Sequence, residues 1–74
     1  MEIESEKKNG FDAVYEEYHK MVFRIAYHYI CNREEAEDIS QVVFGRYYIF
    51  SETGRVTNVR SWLATTARNV AVNH

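Results

Sequence analysis

The residues with the clearest chemical potential lie near the C-terminal end of the chain, where polar, basic and aromatic side chains recur at helical spacing. The set consists of Thr65, Asn69 and Asn73 on one helix face, Trp62 at its edge, and Arg60 and Arg68 beside it. Arginines bind phosphates, asparagine amides hydrogen-bond base edges, and aromatic rings stack on unpaired bases. This combination is typical of a surface that binds single-stranded nucleic acid.

The same segment has a purely structural interpretation. Trp62 also belongs to an apolar stripe with Leu63 and Ala67, so it can be a core residue. The net charge of −2 predicts little general attraction for a polyanion. The charge is uneven, however, because residues 1–38 carry ten acidic and five basic side chains, whereas residues 39–74 carry one and four. A nucleic-acid contact and a protein-binding helical module both remain open.

Catalytic and metal chemistry have no support in the sequence. It contains no nucleophile elbow, phosphate-binding glycine loop or metalloprotease motif, and its three histidines are not spaced as a metal pair. We therefore predict no enzyme activity, catalytic residue, metal or cofactor. His28 and Cys31 are predicted to be packing residues. With a single cysteine and no signal peptide or membrane span, the chain is expected in the cytoplasm.

Three amphipathic helices are predicted to position these residues. The first has an apolar stripe from Phe11 to Tyr29. The second starts after the N-cap Asn32, with Glu35 placed to complete a capping box, and its stripe is Ala36, Ile39, Val43, Tyr47 and Phe50. After a loop at 51–58, the third starts near Thr57 or Asn58. We expect an all-α, compact three-helix bundle over 11–74, preceded by a flexible charged leader at 1–10.

The second helix has a mixed polar and apolar face opposite its stripe. Asp38, Gln41 and Gly45 follow one another at steps of three and four, and Val42 adjoins them. Such a face is typical of a surface that binds another protein. Gly45 costs about 1 kcal/mol relative to alanine in a helix interior, so we expect something to pack closely there.

Two segments carry a family resemblance. Residues 33–44, R-E-E-A-E-D-I-S-Q-V-V-F, resemble the R-E-D-A-E-D-L-V-Q-E-V-F segment of region 2 in bacterial extracytoplasmic-function (ECF) sigma factors, within the sigma-70 family. Residues 59–74, V-R-S-W-L-A-T-T-A-R-N-V-A-V-N-H, resemble the segment that follows, F-R-A-W-L-Y-R-I-A-R-N-L-A-L-D-H. The first helix is similar to the opening of the same region, so the resemblance extends over residues 11–74.

The resemblance implies a transcription initiation module with two partners. The second helix would bind the coiled coil (clamp helices) of the RNA polymerase β′ subunit through Glu37, Asp38, Gln41 and Phe44. The third helix and its preceding loop would bind the non-template strand of the promoter minus-ten element, with one base flipped into a pocket and Asn69 contacting it. The residues predicted to bind DNA are Arg55, Asn58, Arg60, Trp62, Thr65, Arg68, Asn69 and Asn73.

The sequence departs from the family pattern at several positions, so the mode of polymerase binding and the base preference stay open. Val42 replaces a usual glutamate, Gly45 a large aliphatic residue and Asn73 a frequent aspartate, and the loop has no aromatic residue. The sequence given contains no helix-turn-helix region 4, which favours either an excised domain or one part of a split sigma factor. An anti-sigma factor is a further candidate partner. The alternative is a protein-binding helical module without direct base recognition.

Overall fold

The computed structural model describes residues 10–54 and 56–74, which form three helices. They are α1 (Gly10–Ile30), α2 (Arg33–Ser51) and α3 (Val59–Val72). No strand occurs in these two ranges, and each helix packs against the other two. The predicted all-α three-helix bundle is confirmed. Apart from Gly10, which lies in the first turn of α1, the predicted leader is outside the described residues.

The turn between α1 and α2 is only two residues long, and each residue caps one helix. Cys31 adopts a left-handed conformation with φ 57°, and its N–H donates to the Tyr27 carbonyl at 2.8 Å, which closes the last turn of α1. Asn32 Oδ1 accepts from the Glu35 N–H at 2.9 Å. Cys31 is exposed, so the prediction that it is a packing residue was wrong: the tight turn requires it as a cap.

The α2 N-terminus has half of the predicted capping box. The Asn32 side chain caps the Glu35 N–H, but the Glu35 carboxylate is directed elsewhere: its Oε1 lies 3.4 Å from Nε2 of His74. This contact joins the start of α2 to the residue that follows α3. Both side chains are about half exposed, so the pair contributes little to stability.

The core contains many residues of the three predicted apolar stripes and also several residues that those stripes did not include. Its buried members are Val22, Ala26, Ala36, Ile39, Ser40, Val43, Phe44, Tyr47, Leu63, Ala67 and Ala71. Ser40, Phe44 and Ala71 were outside the predicted stripes. Tyr15, Tyr29 and Phe50, which the stripes included, are partly exposed, and His28 is exposed rather than packed. The apolar periodicity therefore located each buried face, but not its edges.

Gly45 does not serve close packing inside this domain. It is exposed on α2, and a Cβ atom built there would meet no described atom within 4 Å apart from its chain neighbours and the adjacent backbone of α2. The expectation of a close neighbour was therefore wrong for the bundle itself. The glycine leaves a stretch of helix backbone accessible on the outer surface.

Candidate functional site

A cavity of about 360 Å³ lies where the loop between α2 and α3 meets the start of α3. It is lined by Thr57, Asn58, Ser61, Trp62, Thr65 and Thr66. All of these except Trp62 have a hydroxyl or amide group, and such groups can both donate and accept hydrogen bonds. We call it the loop–helix cavity.

Two local features build the loop–helix cavity. Asn58 is the N-cap of α3, and its Oδ1 accepts from the Ser61 N–H at 2.9 Å, which leaves the amide Nδ2 as a donor. Trp62 is half-buried, with its ring centroid 5.7 Å from that of Tyr47 and 5.9 Å from that of Phe50. These rings of α2 hold the indole in place while part of it lines the cavity. Trp62 therefore contributes both to packing and to the cavity wall.

Asn69 and Asn73 belong to a different depression. Together with Arg46, Val70 and His74 they line a groove of about 230 Å³ between α2 and α3. Asn69 is two helical turns from Trp62, about 10 Å along the axis, and it does not line the loop–helix cavity. The resemblance implied that Asn69 contacts the flipped base, and its position in this groove separates it from the loop–helix cavity. The Asn73 amide donates to the Asn69 carbonyl at 2.8 Å, so it caps the end of α3.

Three of the other predicted DNA-binding residues are exposed on α3, and one lies outside the described residues. Arg60 is exposed in the first turn of α3. Thr65 and Arg68 are exposed, and both line a further cleft between α1 and α3. Arg55 lies outside the described residues. Sequence reasoning missed Thr57, Ser61 and Thr66 as cavity residues. Ser61 lies three residues after Asn58 and Thr66 lies four after Trp62, so helical spacing was a usable signal for these two.

The predicted protein-binding face of α2 is exposed and continuous. Asp38, Gln41 and Gly45 all lie on the surface, and they share it with two apolar residues, Val42 at 45% exposure and Ile49 at 65%. At 100° per residue these five positions fall within about 100° of arc, opposite the buried side of the helix. We call them the α2 outer face. Ile49 was missed because it lies outside the resembling segment.

Phe44 and Glu37 do not belong to the α2 outer face. Phe44 is 2% exposed, because its ring packs 4.9 Å from that of Tyr15, and the prediction that it contacts the polymerase directly is corrected accordingly. Glu37 is exposed but lines a cleft towards α1 that also contains Lys20 and Arg33. Of the four polymerase-contact residues that the resemblance implied, Asp38 and Gln41 therefore lie on the α2 outer face, and Glu37 and Phe44 do not.

Comparison with known protein families identifies the chain. Residues 14–74 match the family model described as Sigma-70 region 2. The chain belongs to the sigma-70 region 2 family. This region 2 domain has a role in transcription initiation, and the family implies interaction with RNA polymerase core and promoter DNA. The family is not one of enzymes. Neither a curated protein nor a solved structure matches the chain significantly.

Two further features constrain this region 2 domain. No helix within residues 10–54 and 56–74 has the length and apolar character needed to cross a bilayer. In the same ranges, no three histidine, cysteine, aspartate or glutamate side chains come together as a metal site requires.

Proposed function

We propose that this chain joins RNA polymerase to the single-stranded minus-ten element of a promoter, using two different surfaces. The α2 outer face binds the β′ clamp helices, and the loop–helix cavity accepts one flipped base of the non-template strand. The observation that carries the proposal is the loop–helix cavity, which lies where the family resemblance implies a base pocket. The 33–44 segment supports an ECF-type sigma factor, acting in the bacterial cytoplasm.

The chemistry of the loop–helix cavity suits an unpaired base. An extruded base presents its hydrogen-bonding edge and its ring face together. Hydroxyls of Thr57, Ser61 and Thr65 and the free Nδ2 donor of Asn58 can hydrogen-bond the edge, while the indole of Trp62 offers apolar contact. A base inside a duplex could not enter such a pocket, so single strands should bind better than duplex DNA.

The α2 outer face suits a helical protein partner. It combines a carboxylate and an amide with the apolar Val42 and Ile49, as protein-binding surfaces commonly do. Gly45 lies in its middle and has no Cβ, so a partner helix can approach the backbone of α2 closely. This closeness accounts for a glycine that has no packing role within the bundle.

The alternative is a protein-binding module that uses only the α2 outer face. In that case the loop–helix cavity is a surface depression, and Trp62 is only a core residue. The half-buried position of Trp62 agrees with either function. An anti-sigma factor that covers α2 or α3 is compatible with both, and its presence stays a prediction.

Asn58→Ser tests the base pocket without removing the α3 cap. Serine caps a helix about as well as asparagine but has no amide donor, so the fold should persist. We expect this variant to lose about 1–3 kcal/mol of discrimination between bases at one promoter position. The measurement is binding of a base-substitution panel of single-stranded minus-ten oligonucleotides in the presence of polymerase core.

The matched control is Asn32→Ser, the same exchange at the cap of α2. It should leave every base preference unchanged. The panel includes Asn69→Ala, because the resemblance implies that Asn69 contacts the base. An altered preference with Asn69→Ala and none with Asn58→Ser would move the base contact to the Asn69 groove and refute the proposed pocket.

A further inference from the structure

A second cleft, with a volume of about 460 Å³, separates α1 from α3 on the side of Arg24 and Arg68. Arg24, His28 and Tyr29 line it from α1, and Thr65 and Arg68 line it from α3. We propose that this Arg24–Arg68 cleft binds a backbone phosphate of the same DNA strand whose base enters the loop–helix cavity. The proposal rests on the proposed function and adds α1 to the DNA-binding surface.

Charge is the first observation that favours a phosphate. Two guanidinium groups from different helices border the cleft, and no carboxylate lines it. Among the described residues, no ion pair engages Arg24 or Arg68. Of the two residues Lys20 and Arg24 that carry a full positive charge on α1, Arg24 lines this cleft, in a half of the chain that is rich in acidic residues. Two unpaired arginines at one concave site favour an anion.

Continuity is the second observation. Thr65 lines both the loop–helix cavity and the Arg24–Arg68 cleft, so the two depressions adjoin across α3. From Asn58 to Thr65 the helix advances by about 10 Å, and Arg68 lies one turn further. A strand that places a base near Asn58 and Trp62 can therefore pass over Thr65 and place a phosphate at the cleft. This route selects a DNA strand over a free nucleotide.

The test is the salt dependence of single-stranded minus-ten DNA binding by the chain together with polymerase core. Each phosphate contact on a single strand contributes about 0.7 to the slope of log K against log salt concentration. Arg24→Ala should therefore reduce the slope by about 0.7 and the affinity by about fivefold at 0.1 M salt. The reduction should be the same for every base sequence, because phosphate contacts carry no sequence information. Arg68→Ala should behave alike.

Two controls and one competitor define the outcome. Arg24→Lys keeps the charge and should retain the slope, whereas Arg33→Ala removes a charge outside the cleft and should change nothing. An unchanged slope for Arg24→Ala, while wild-type protein still prefers minus-ten single strands, would overturn this inference alone. Loss of ATP binding by Arg24→Ala with unaltered DNA binding would assign the cleft to a free nucleotide and also overturn it. Absence of any minus-ten preference in the wild type would overturn both proposals.

Discussion

Asp38→Arg combined with Gln41→Ala is expected to weaken binding of the chain to a fragment containing the β′ clamp helices by about thirtyfold or more. Both residues are exposed on the α2 outer face, one turn apart, and neither contributes to the core. Changes at the centre of a protein interface commonly cost about 2 kcal/mol or more, which corresponds to a loss of affinity of about thirtyfold. Pull-down and titration calorimetry measure the loss, and circular dichroism should show unchanged helicity.

The control for this pair is Glu17→Arg, which alters the net charge equally. Glu17 is exposed on α1, away from the α2 outer face. The control should bind the fragment as the wild type does, which separates a specific surface from a general charge effect. If the double variant bound the fragment with the affinity of the wild type, the α2 outer face would not be the polymerase-binding surface.

Leu63→Ala is expected to lower the free energy of unfolding by about 2–5 kcal/mol. Leu63 is completely buried at the junction of the three helices, so truncation removes apolar contacts and leaves a cavity. A domain of this size buries a modest core, and such a loss is a large fraction of its total stability. Urea denaturation followed by circular dichroism gives the change directly.

Ile49→Ala provides the matched control for the core prediction. It also truncates an aliphatic side chain in a helix, but Ile49 is 65% exposed. Its free energy of unfolding should change by about 0.5 kcal/mol or less, while binding to the clamp-helix fragment weakens. Equal destabilisation by the two substitutions would contradict the arrangement of α2 and α3 described above.

Local features of the fold were predictable because short-range chemistry determines them. Asn32 was predicted as the N-cap of α2, and it accepts from the N–H three residues later. Asn58, one of the two predicted starts of α3, caps that helix by the same bond. Apolar periodicity likewise identified the sides of the helices that face the core. The family resemblance agreed with both, and residues 14–74 match the family model.

Features that depend on packing between helices were not predictable from periodicity. Phe44 was assigned to a partner surface, but it is buried because the ring of Tyr15 on α1 packs over it. Residue spacing within α2 carries no information about this contact with another helix. Asn69 and Trp62 are two turns apart on one helix, yet they line separate depressions: Trp62 lies with residues of the preceding loop, and Asn69 lies with Arg46 of α2. Cys31 takes a left-handed conformation that its residue type disfavours, because a two-residue turn requires it.

The candidate site therefore divides into a part that the sequence located and a part that needed the structure. Polar residues on α3 and an exposed face on α2 were predicted from residue type and spacing. The hydroxyl-rich wall of the loop–helix cavity and the arginine pair across α1 and α3 depend on how the helices meet.

Fluorescence anisotropy of a labelled single-stranded minus-ten oligonucleotide, with and without polymerase core, tests the central claim most directly. The chain alone has a net charge of −2 and should bind weakly. With core present, we expect tight binding that depends on base sequence and exceeds binding of the same sequence as a duplex. Equal binding of a scrambled strand, by a chain that still associates with the polymerase, would show that it is a protein-binding module and contradict the account.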